Sequence, residues 1–190
     1  MGFFDDVIHA GKNLYDSQKR LRDEKNRTDG AGELDENGRK HGLWIRRHPN
    51  GKVFSSEEFN HGKRVGKHSY YDSDGSLSSE KEYSDDEIVF RKLFSGDGTV
   101  YQDADYKYSK ELVLITDYYP DGSISNRITH LKDSLTVAHG ELVSYYENGR
   151  LRAKGTYKDG EIDGPWVSYN SDGTVKEEYT GTYKNGVKIK

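Results

Sequence analysis

Seven histidines, several paired acids and a run of bases among aromatic rings are the residues here that could do chemistry. His9, His41, His48, His61, His68, His130 and His139 could ligate zinc, but none sits in an HExxH pair and the chain has no cysteine to join them. His48 and His68 could approach one another as a surface pair. His41, His61 and His139 each precede a glycine, where turn chemistry accounts for them. Glu57-Glu58 and Glu177-Glu178 are adjacent, and adjacent side chains on a strand point to opposite faces, so neither pair makes a general acid and base. Asp97-Gly98 with Asp103 and Asp105 misses the calcium-loop spacing. Gly96-Asp97-Gly98-Thr99 lacks the GK[ST] of a phosphate loop, and no GxSxG nucleophile elbow occurs. The expectation is no enzyme, no cofactor and no metal.

Residues 39–68 carry eight Lys/Arg against two Glu around Trp44, Phe54 and Phe59, a composition suited to nucleic-acid backbone and stacking contacts. A formal net charge of −4 and a pI near 6.0 weigh against that partner. Residues 72–121 carry thirteen acids against five bases, so stacked segments would set a basic patch beside an acidic band. That band is either solvated surface or a steering field for a charged protein.

What must position these groups is a tandem repeat. Gly51, Gly75, Gly98, Gly122, Gly149 and Gly173 recur at intervals of 24, 23, 24, 27 and 24 residues. Four residues before each stands Arg47, Tyr71, Phe94, Tyr118, Tyr145 or Tyr169. Two after stands Val53, Leu77, Val100, Ile124, Leu151 or Val175, and eight after stands Phe59, Tyr83, Tyr106, His130, Tyr157 or Gly181. Second turns fall at Asn37-Gly38, His61-Gly62, Asp85-Asp86, Asp159-Gly160 and Asn185-Gly186. Looser turns are expected near Ser109-Lys110 and Lys132-Asp133-Ser134, where the glycine is missing. A two-residue insertion in the last unit puts Tyr183 in the place of Gly181.

The pattern predicts a mainly β protein, an elongated single-layer antiparallel sheet of hairpins that share one ladder. Hydrophobic residues make up 32% and the mean hydropathy is −1.03, which suits a sheet wet on both faces. The Tyr and Val/Leu/Ile columns become rows, and all three columns are expected on one face. Residues 1–27 read as an amphipathic helix. It could cover a sheet end or face, dock a partner, or lie on a membrane surface. Residues 28–37 form a linker and partial first repeat, and 38–190 the array. No cysteine and no apolar run of membrane-spanning length point to the cytoplasm. Both sheet ends are edges, so end-to-end self-association is open.

GPWVSYNSDGTV, Gly164–Val175, and the Tyr157–Gly160 YKDG resemble the MORN-repeat variant and are similar to the YwqK-type antitoxin repeats. The resemblance spans roughly 32–190. It implies an elongated sheet that binds proteins, with an antitoxin or immunity role against a nearby-encoded toxin among bacterial members and membrane attachment or scaffolding among eukaryotic ones. Trp44 and Trp166 keep the family tryptophan; His68, Arg91, Ile115 and Leu142 replace it elsewhere. Trp166 and Tyr169 are an odd number apart, so the Trp and Tyr columns fall on opposite sides. Accessible Trp and Tyr are common interface anchors. The expected partner-binding set is Trp44, Tyr70, Tyr119, Tyr146 and Trp166.

Overall fold

The computed structural model describes residues 30–190. The helix expected within residues 1–27 lies outside them. The described residues form one open antiparallel sheet of fifteen strands. In chain order these are β1 Ala31–Leu34, β2 Lys40–Arg47, β3 Val53–Asn60, β4 Lys63–Arg64, β5 Gly66–Tyr71, β6 Leu77–Ser84, β7 Glu87–Phe94 and β8 Val100–Asp105. There follow β9 Leu112–Tyr118, β10 Ile124–Leu131, β11 Ser134–Tyr145, β12 Leu151–Lys158, β13 Glu161–Ser168, β14 Gly181–Lys184 and β15 Val187–Lys188. Spatial order follows chain order, with the short β4 pairing off the path against β3.

Two turn chemistries alternate along the array. At the first turns only the glycine takes positive φ, from +76° at Gly149 to +94° at Gly173. Its N–H bonds the carbonyl three residues back, as in Gly75 to Asp72 and Gly122 to Tyr119, both at 2.9 Å. This is a type I turn closed by a left-handed glycine. Asn37-Gly38, expected among the second turns, has this first-turn geometry, with Gly38 at +74°. At the second turns both central residues are left-handed: His61 and Gly62, Asp85 and Asp86, Asp159 and Gly160, Asn185 and Gly186. That fits a type I′ hairpin.

The D-G-S/T signature follows from this geometry. The carboxylates of Asp74, Asp97, Asp121 and Asp172 each accept from the hydroxyl and the N–H two residues on, at 2.6–2.9 Å. The Ser or Thr hydroxyl first, then the backbone N–H, holds each of these acids below the usual aspartate range. Folded values below unfolded ones stabilise the turns above the ordinary aspartate range, and this is lost as pH falls through the lowered values. Carboxyl NMR titration should therefore find all four below a free Asp. Ser76→Ala should raise the midpoint of Asp74 alone; an unmoved Asp74 would refute the assignment.

The middle of the array departs from the expected turns. Residues 106–111 do make a longer connection, but Lys132-Asp133 is a tight two-residue turn, with Leu131 opposite Ser134. The longer 27-residue interval is taken up inside the strands. β11 runs for twelve residues, and its ladder with β10 shifts register twice.

Five of the first-turn hairpins, those at Gly51, Gly75, Gly98, Gly122 and Gly149, also carry a β-bulge at the same place. Register shifts occur at Arg46/Arg47, Tyr70/Tyr71, Leu93/Phe94, Ile124/Asn126 and Ser144/Tyr145. The extra residue reverses the alternation, so Leu77 and Tyr83 lie on opposite faces although six residues apart. The single-face expectation for all three columns is corrected by this bulge.

One face, here the inner face, holds the more buried rows. Across it Trp44, Glu57, His68, Lys81, Arg91, Ala104, Ile115, Ile128, Leu142, Gly155 and Trp166 share one row of the ladder. Past Trp44 the row is polar or charged from Glu57 to Arg91, and from Ala104 onward it holds no charged residue. Ala104, Val113 and Ile115 form its core, with Tyr106, Ile128 and Leu135 packed against them. Tyr183 stands opposite Gly164, in the place expected of it, and the insertion is absorbed by a turn at 177–179. Glu177-Glu178 is therefore in a turn and not a strand.

Candidate partner-binding face

The opposite, outer face carries the aromatic column paired directly across each hairpin with the aliphatic one. Tyr71 faces Leu77, Phe94 faces Val100, Tyr118 faces Ile124, and Tyr145 faces Leu151. A bridge joins Tyr169 to Val175, and Arg47 faces Val53. Aromatic and branched aliphatic neighbours in this register stabilise a sheet by roughly 0.2–1 kcal/mol a pair. The stripe stays half-exposed, and Val175 is 40% exposed.

Between neighbouring hairpins the stripe opens into shallow grooves. One, about 540 Å³, is lined by Ile45, Lys52, Val53, Ser56, Tyr71 and the Asp74-Gly75 turn. Another, about 350 Å³, is lined by Lys92, Thr99, Val100, Asp103, Tyr118 and the Asp121-Gly122 turn. Seven positions of the two linings are equivalent in the repeat, and Pro120 lines the second groove in addition. In the second groove the Tyr118 hydroxyl donates to Asp103 at 2.6 Å. Burial first, and then that carboxylate, push its pKa up to about 12.

The five expected anchors are placed otherwise. Trp166 is only 2% exposed, so its expected accessibility is corrected. It lies over Gly155, with Tyr157 edge-on at 5.6 Å and its Nε1 donating to Ser168 at 2.9 Å. Trp44 is half-buried over Gly32; its Nε1 donates to the Glu33 carbonyl at 3.0 Å and Lys40 Nζ sits 4.6 Å from its ring. Tyr70 lies on the inner face, 6.0 Å from Phe54 and with Lys81 Nζ 5.0 Å above it. Burial, then Glu57, raises its pKa well above the tyrosine range. Tyr119 and Tyr146 are staples between units: their hydroxyls donate to the carbonyls of Tyr145 and Tyr169 at 2.8 and 2.7 Å. Tyr146→Phe should therefore cost about 1 kcal/mol. Urea unfolding checks this, and an unchanged midpoint would contradict the staple. Trp44, Tyr70 and Trp166 thus lie on the inner face, and Tyr119 and Tyr146 are engaged between units. The coherent surface is the neighbouring column, whose spacing was legible but whose exposure depends on the bulge.

Charge and histidine chemistry resolve into structure. Lys63 bonds Asp85 at 2.7 Å, Arg64 bonds Asp86 at 3.1 Å, and Lys67 pairs with Glu80. Part of the basic segment is thus neutralised by the acidic one beside it. His48 and His68 do not pair. His48 reaches the Tyr71 carbonyl at 2.9 Å, while His68, 1% exposed, packs 4.6 Å from Tyr83. It is His41 and His61 that stack, 4.7 Å apart, with His61 bonding Asp35 at 2.8 Å. Burial opposes the charge of Asp35, but hydrogen bonds from Arg39, His61 and Asn37 outweigh it and hold the acid far below its usual range. No group of three or more metal-ligating side chains converges among the described residues.

Residues 40–61, 64–85 and 138–159 match the family model described as MORN repeat variant. Each matched stretch is one first-turn hairpin: β2–β3, β5–β6 and β11–β12. The stretches similar to that model are thus bulged first-turn hairpins. Residues 88–135, where the unit's tryptophan and second-turn glycine are lost, lie outside those stretches. No curated protein matches the chain. Among solved structures, the GtfA/B complex bound to UDP and GlcNAc is similar over 62% of this chain and 22% of its own, at 13% identity and a TM-score of 0.28. The chain spans about a fifth of that protein's length, and a likeness this loose carries no argument. No helix among the described residues is long and apolar enough to cross a membrane.

Proposed function

We propose that this chain is a protein-binding repeat module, most specifically a cytoplasmic antitoxin or immunity protein. It neutralises its partner by steric occlusion and without catalysis. The observation that carries the binding reading is the outer stripe: an unbroken, half-exposed row of aromatic and aliphatic side chains with repeating grooves. Half-buried Tyr and Phe offer large contact area at low entropic cost, which is what interface anchors supply. A sheet that shares one ladder from β1 to β15 presents that row as a preformed surface, and preorganisation reduces the ordering cost of binding. The antitoxin reading adds the likeness of the repeats to antitoxin repeats.

The test is coexpression of the full chain with the protein encoded beside it. The expected result is a stable complex and restored growth, with both lost in Tyr71→Ser/Phe94→Ser/Tyr145→Ser at unchanged circular dichroism. A neighbour that is not toxic, or that forms no complex, would remove the antitoxin reading.

A further inference from the structure

We propose that the outer stripe receives an extended, cationic polypeptide segment laid across the strands, with side chains six residues apart seated in the two grooves. The inference rests on the protein-binding reading and names the chemistry of the partner.

The spacing argues for an extended segment. The Val53/Tyr71 groove lies between β3 and β5, and its equivalent at Val100/Tyr118 between β8 and β9. Four strand spacings separate them, roughly 19 Å at ~4.8 Å each. An extended chain rises about 3.3 Å per residue, so six residues cover the gap, and an even number returns the side chain to the same side. A helix would need about 13 residues at 1.5 Å each, which turns the second side chain some 220° away from the first.

The charges argue for a cationic one. From the first groove to β9 the outer face carries Glu58, Glu80, Glu82, Asp103 and Asp105 against Arg47, Lys52, Lys67 and Lys92, and Lys67 is already paired to Glu80. Asp74, Asp97 and Asp121 line the turn edge beside the stripe, ionised through their hydrogen bonds. Lys81 and Arg91 of the same strands lie in the inner row. The outer face therefore repels phosphate, whether of lipid or nucleic acid, and attracts Lys and Arg. Those cations can also stack on the tyrosine rings.

The experiment titrates the full chain at low salt with a synthetic Arg/Ser peptide carrying leucines at i and i+6. Control peptides carry the leucines at i and i+7, or Glu in place of Arg. Further arms use phosphatidylglycerol vesicles and duplex DNA, and NMR shifts map the contact. The expected result is at least tenfold tighter binding of the first peptide than of either control, with shifts at Tyr71 and Tyr118. Tyr71→Ser and, independently, Glu82→Lys should each weaken it about tenfold while circular dichroism shows the sheet still folded. Equal binding of a control peptide, no binding of the first, or vesicle or DNA shifts at the same tyrosines would overturn the proposal. A coexpressed partner still bound by Tyr71→Ser and Glu82→Lys would also overturn it, and would leave the protein-binding reading standing.

Discussion

Trp166→Ala should be the most destabilising single change in the described chain, by about 3–5 kcal/mol. The indole is 2% exposed and sits in the floor of the inner face rather than at an interface. On one side lies Gly155, where an added Cβ would come within 2.3 Å of the ring, so glycine is needed there to admit it. On the other side its row continues to Gly181. Truncation would leave two glycines and an alanine facing a void that neither flank can fill. Because each unit contacts only its neighbours, the loss should be local. Amide exchange in β12–β14 should accelerate strongly while β2–β6 keep their protection. Gly155→Val should produce the same pattern by the opposite route, overpacking. Uniform loss of protection along the array, or none, would refute this placement.

Arg46→Met should cost the N-terminal hairpin about 2–3 kcal/mol. Its guanidinium bonds Glu57 at 2.6 Å and Ser55 at 3.0 Å. The Glu57 side chain is 6% exposed and that of Arg46 24%, so the cost should fall below the roughly 3–5 kcal/mol of a fully buried pair. Methionine keeps the stem against Phe54 and removes only the charge. Glu57 would then be a buried carboxylate facing His68 and Tyr70 without its cation. Removing both charges, as in Arg46→Met/Glu57→Leu, should restore most of the stability, since a buried pair is often neutral against a well-packed apolar one. A double-mutant cycle by chemical denaturation measures the coupling. Additive losses would show that the ion pair contributes nothing of its own.

The tandem hairpins, their spacing and the row of Tyr opposite Val, Leu and Ile were legible because side-chain period and turn chemistry are local. Tyr183 could be placed past its insertion for the same reason. Three things were not legible. The bulge after five of the first turns adds no residue type of its own: Phe54, Ser78, Tyr101, Ser125 and Arg152 all fill it. Its effect is to turn Tyr83 and Tyr157 inward while Tyr71 and Tyr145 stay out. The reach of Tyr119 and Tyr146 depends on carbonyls 26 and 23 residues away, brought near only by stacking. The burial of Trp166 depends on glycines in adjacent strands, so a residue type typical of interfaces serves packing here. The Asp97 carboxylate, set aside as a cation ligand on spacing, is engaged by Thr99.

The outer stripe and the inner row offer a partner two different faces. The direct measurement is site-specific photo-crosslinking in cells, with a photoreactive phenylalanine at Tyr71 or Tyr145 on the outer stripe and at Leu142 on the inner row. The prediction is one discrete protein adduct from both outer positions and none from the inner one. An adduct from Leu142 alone, or none from Tyr71 and Tyr145, would contradict it.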